Sequence, residues 1–194
     1  MSTSRALPIL RTADLQVAYA AVERLLRLVI PLKGFYVSAE AQALTLDEAQ
    51  RMALAFPEAT IAPCDPHWPE FNDEIRELVA AGDPRVLGAL PVTLTLDQRP
   101  VGSIEEAFLK ITGTGWASIK WSWFQWPAVA ELGLEPRGKD AFVQIVINSR
   151  DVMSEIPAAD HTVFIHLRGE DDTRAEWLAR QVGLQPIGPW ENGL

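Results

Sequence analysis

The stretch Ile111–Pro127, ITGTGWASIKWSWFQWP, holds four of the seven tryptophans in the chain and decides how the rest is read. A period of two sets Ile119, Trp121 and Trp123 on one face and Ser118, Lys120 and Ser122 on the other, the pattern of a half-buried strand. A helical reading groups Trp116, Ile119, Trp123 and Trp126, but it isolates Trp121 and turns Lys120 into the apolar face, so the strand is preferred. Gly113 and Gly115 before it and Pro127 after it bound the strand. An indole buries a large area and needs a partner for its ring N–H. Such a cluster therefore serves either as the wall of a core or as the floor of a binding surface.

Working outward, residues 1–11 read as a loose leader. From Thr12, taken as an N-cap, Leu15, Tyr19, Val22, Leu26 and Val29 recur at helical spacing until Pro31. Gly34 opens a short strand, GFYVS, and TLDE at Thr45–Glu48 is a capping box that starts a helix to about Phe56. Residues 59–62 read as a short strand and the proline-rich APCDPHWPEF as a loop. A helix from about Glu70 to Ala81 follows, with Ile75, Leu78 and Val79 inward and Gly82 at its end. Val92, Leu94 and Leu96 alternate with Thr93 and Thr95 as a strand, and SIEE at Ser103–Glu106 reads as a second capping box.

Beyond Pro127, AVAELGL is a helical turn ending near Gly133 and EPRGKD is a turn. AFVQIVIN and HTVFIHLR are strands joined by a short helical DVMSEIP. A last helix begins at Glu170, Asp171 and Asp172, whose charges suit a helix N-terminus. It buries Trp177, Leu178 and Val182, and LQPIG closes the sheet. Strands that alternate apolar and polar residues argue against a doubly wound parallel fold. They predict an α+β architecture, with helices packed on one face of a mainly antiparallel or mixed sheet. One domain, 1–194, is the simpler organisation, with a soft boundary near 82–90.

Composition bounds the function. The formal charge of −9 and the lack of a Lys/Arg cluster argue against nucleic acid and against an anionic membrane surface. No apolar run approaches the roughly 20 residues needed to span a bilayer, and the N-terminus lacks a secretory pattern, so a cytoplasmic protein is expected. The single Cys64 fits a reducing compartment.

Few constellations carry chemistry. Cys64, Asp65 and His67 share the proline-rich loop, but no further Cys or His pair completes a zinc set, and neither a metal nor a cofactor is expected. Cys64 with His161 or His166 as base has no local signature of a nucleophilic site. The glycines of ITGTGW match no phosphate loop, and Glu105/Glu106 and Asp171/Asp172 sit at helix starts, where capping accounts for them. His166 and Arg168 project from one face of their strand. If that strand neighbours the tryptophan strand, they join Lys120 in a polar patch suited to a carboxylate or phosphate.

SIEEAFLKI, with QALTLDEAQRMALAF upstream and RGKDAFVQIVIN downstream, loosely resembles segments of the N-terminal region of tetrahydrodipicolinate N-succinyltransferases. The hexapeptide repeats that build that family's β-helix and acyl-CoA site have no counterpart here, so its activity does not carry over.

The leading expectation is a non-enzymatic interaction protein of inhibitor, immunity or adaptor type. It would dock a protein partner or self-associate through Trp121, Trp123 and the acidic surface. The alternative is a small-molecule-binding protein or enzyme whose polar contacts are Lys120, His166 and Arg168 beside the tryptophan strand.

Overall fold

The computed structural model describes residues 4–64, 72–169 and 172–193; Asp65, His67, Glu170 and Asp171 lie outside them. The first strand, β1 (Ser4–Thr12), occupies the segment read as a leader. Ala6 to Ile9 are buried without interruption, so no alternation marks this strand in the sequence. Helix α1 (Leu15–Leu26) is capped by Asp14, whose carboxylate accepts the Gln16 and Val17 amides, while Thr12 accepts the amide of Asp14. The next strand, β2 (Ile30–Ala43), begins before Pro31 and runs through Gly34. Helix α2 (Leu46–Ala55) carries the expected capping box, with Thr45 and Glu48 each accepting the other's amide.

Then come β3 (Thr60–Pro63), α3 (Asn72–Ala81), β4 (Val92–Pro100), α4 (Glu105–Ile111), β5 (Ala117–Gln125), β6 (Phe142–Ile147), β7 (His161–Arg168), α5 (Asp172–Gln181) and β8 (Glu191–Asn192). The second capping box does not form. Ser103 donates its hydroxyl to Pro100 O, and the buried Glu105 accepts the Gly102 and Ile104 amides in its place. DVMSEIP is a loop organised by the Asp151 carboxylate, which accepts the amides of Met153, Glu155 and Ile156. The closing strand is Glu191–Asn192, not LQPIG.

The fold is α+β, with eight strands in one antiparallel sheet ordered β3-β4-β2-β5-β6-β7-β1-β8. By its internal contacts the chain divides into two compact units, residues 1–36 with 119–194, and residues 37–118. In the first, α1 packs on β1, β6 and β7, and α5 packs on β7. Strands β6 and β7 are covered on both faces, and Arg174 of α5, only 1% exposed, donates to the carbonyls of Pro127 and Glu135. In the second, α2 packs on α3, α4 and β4, over a core that includes Met52, Phe56, Leu94 and Phe108. Among the described residues no helix is long and apolar enough to cross a membrane.

Candidate functional site

Strand β5 keeps its period of two only as far as Trp121. Ala117, Ile119 and Trp121 are buried, but Trp123 is 56% exposed and the buried set resumes at Phe124 and Trp126. The phase slips because Trp123 takes a left-handed backbone, φ +72°, and stands as one surplus residue in the strand. The expected shared face of Trp121 and Trp123 is therefore not formed. Glycine ordinarily marks such a bulge, and none is present at this point to signal it.

Each tryptophan is held by different means. Trp121 stacks on Tyr19 of α1 with ring centroids 6.1 Å apart. Trp126 meets Phe124 edge to face at 4.9 Å and donates its ring N–H to His166 O at 2.9 Å. Trp123 lies over Gly34, where an added Cβ would come 3.4 Å from its ring, and donates Nε1–H to Lys33 O at 2.7 Å. Ile30 and Leu32, on the same strand as Gly34, are 41% and 38% exposed. Ile30, Leu32 and Trp123 are thus three exposed apolar residues on β2 and β5. The only charged residues within Ile30–Tyr36 and Ala117–Gln125 are Lys33 and Lys120.

The polar residues are spread differently from a simple patch. Strand β6 lies between β5 and β7, so Lys120 and His166 are separated by Phe142. Lys120 Nζ sits 5.2 Å from the Phe142 ring centroid and the His166 ring stacks on Phe142 at 3.8 Å. His166 is fully buried. Its Nε2 lies 2.8 Å from Gln144 Oε1, and burial first, then the Lys120 charge, hold its pKa well below the ordinary imidazole value. The ring is therefore neutral, and with Gln144 presenting Oε1 the proton is on Nε2. Arg168 is half-buried at the end of β7, opposite Ser4 of β1. Ser4 escaped the sequence reading because its segment showed no strand periodicity.

The remaining candidates are local. Cys64 is exposed, with Sγ 3.0 Å from Thr93 Oγ1 and 3.7 Å from Gln42 Nε2. His161 is buried, which lowers its pKa, and its Nδ1 accepts the Asn148 amide. Among the described residues no group of three His, Cys, Asp or Glu side chains is placed to hold a metal. A groove of about 480 Å³ runs between α2 and α3, lined mainly by Ala53, Leu54, Pro57 and Ala80. Its guanidinium, on Arg76, is bonded to Pro57 O.

No protein-family model, curated protein or solved structure matches the chain. The loose resemblance to the succinyltransferases thus assigns no family.

Proposed function

We propose that the protein is a cytoplasmic, non-enzymatic interaction protein of inhibitor, immunity or adaptor type, and that its contact surface is centred on Trp123. The observation that carries this reading is a bulky aromatic held exposed on a left-handed backbone. Of the other non-glycine residues at positive φ, Gln98, Asp140, Asn148 and Ser154 are all polar. For a tryptophan the conformation costs about 1–2 kcal/mol and brings the ring out of the core, a strain that persists where the surroundings enforce it. The bond to Lys33 O and the seat on Gly34 fix the ring before any partner arrives, which lowers the ordering cost of binding. Tryptophan is also the residue most enriched among interface anchors.

The exposed part of Trp123 is about 140 Å² of roughly 250 Å² for a tryptophan. Covering it is worth about 3.5 kcal/mol at about 25 cal/mol/Å², or between two and three orders of magnitude in Kd. The reading is tested by affinity capture with the wild type and with Leu32→Glu, an exposed change that leaves the Trp123 bond intact. The captured partner is then purified and its Kd for both proteins measured by calorimetry. Weaker binding by Leu32→Glu at unchanged melting temperature is expected; equal affinity for both would remove Leu32 from the interface.

A further inference from the structure

Among the described residues, one corner of the first unit holds three buried polar atoms that make no hydrogen bond: Ser4 Oγ, His166 Nδ1 and Arg168 Nε. They lie on one face of one strand pair. Ser4 stands opposite Arg168 in the β1–β7 register, Ala6 stands opposite His166, and His166 and Arg168 are two residues apart on β7. Directly opposed side chains begin about 5 Å apart and residues two apart about 6.6 Å apart. A tetrahedral oxyanion with a hydrogen bond of about 2.8 Å on either side covers that span.

The three atoms also specify what kind of group would satisfy them. Arg168 and Ser4 supply an N–H and an O–H to oxygen acceptors, and the guanidinium supplies the positive charge. His166 asks for the opposite. Its Nε2 proton is committed to Gln144 Oε1, so Nδ1 is a bare acceptor and needs an incoming hydroxyl. We propose that this corner binds a small oxyanion that also carries a hydroxyl proton, with hydrogen phosphate as the simplest example and a 2-hydroxy carboxylate as the other source of the same chemistry.

The cover is the C-terminal strand: Gly193 packs on Ser4, where a Cβ would collide with Oγ, and donates its amide to Ser4 O, while β8 pairs with Arg5 and Ala6 and Glu191 accepts the Val152 amide. The site is separate from the Trp123 surface and stands or falls without it.

The test is calorimetric titration of the intact protein at pH 7 with inorganic phosphate, sulfate and glycolate, repeated on Ser4→Ala, Arg168→Leu and Arg168→Lys. Sulfate matches phosphate in shape but carries no proton to give to Nδ1. Phosphate binding at least tenfold tighter than sulfate is expected, weakened at least tenfold in Ser4→Ala and Arg168→Leu and partly restored in Arg168→Lys. The His166 Nδ1 nitrogen resonance should shift on titration, a readout that general stabilisation would not move. Glycolate binding with the same mutational pattern would assign the hydroxy acid. Equal binding of phosphate and sulfate, unchanged binding in Arg168→Leu, or no binding of phosphate or glycolate would overturn the proposal.

Discussion

Replacing Trp123 by alanine and, separately, by glycine measures the backbone conformation that brings the ring to the surface. Both changes remove the covered part of the ring, about 110 Å² of roughly 250 Å², and the bond to Lys33 O. Together these cost about 3–4 kcal/mol as an upper figure. The two variants then part. At φ +72° alanine keeps a left-handed penalty of about 1–2 kcal/mol that glycine escapes, while glycine gives up about 0.5–1 kcal/mol more backbone entropy. Trp123→Gly should therefore be the more stable of the two by about 0.5–1 kcal/mol, the reverse of the order in a regular strand. Urea unfolding at equal m-values reads the difference as a shift in midpoint. If alanine proves the more stable, residue 123 is extended in solution, Trp123 shares the face of Trp121, and the case for a strained, displayed anchor fails.

Other perturbations test the rest of the fold. In Gly115→Ala the new Cβ would lie 2.5 Å from the Gln42 carbonyl oxygen, which is backbone and cannot swing away; a loss of about 1–3 kcal/mol is expected by urea unfolding. For Glu48, burial pushes the pKa up, but hydrogen bonds from Thr114, Leu44 and Thr45 outweigh it and hold the carboxyl below its ordinary value. Its stabilisation is then present above the ordinary carboxylate range and is lost as pH falls through the folded pKa. Glu48→Gln should lower the melting temperature at pH 7 and flatten its fall on acidification. Glu191 has the opposite sign. Burial and the neighbouring Asp151 charge raise its pKa against the Val152 amide, so its neutral form is favoured and that stabilisation is lost as pH rises through the folded pKa. Glu191→Gln should match or exceed the wild-type melting temperature at pH 7, and a clear loss there would contradict the assignment.

Where a structural signal is local, the sequence carried it. The capping box at Thr45 and Glu48, the alternation of Val92, Leu94 and Leu96, and the helical spacing from Leu15 each need only neighbours within a few residues, and each appears in the fold. The misses are non-local. Strand β1 is buried on successive residues, so its pairing with β7 left no period to read, and with it Ser4 was lost from the candidate site. The place of β6 between β5 and β7 is a matter of strand order, which neither Lys120 nor His166 encodes locally. At SIEE the motif is present, but Glu105 turns inward to accept the Gly102 and Ile104 amides, and Ser103 gives both its hydroxyl and its amide to Pro100 O instead of capping the helix. Of the candidate residues, Trp121 and Trp123 were legible as a cluster, yet which one faces water depended on a bulge without a glycine.

The slipped phase of β5 makes the length of this strand an engineering variable. Omitting residue 123 would place Phe124 and Trp126 in step with Ala117, Ile119 and Trp121, giving an uninterrupted alternation. A one-residue deletion is ordinarily among the harshest changes a strand can suffer. Here it would regularise the ladder while erasing the displayed indole, so a shortened chain that still folds would give a scaffold with the core retained and the anchor removed.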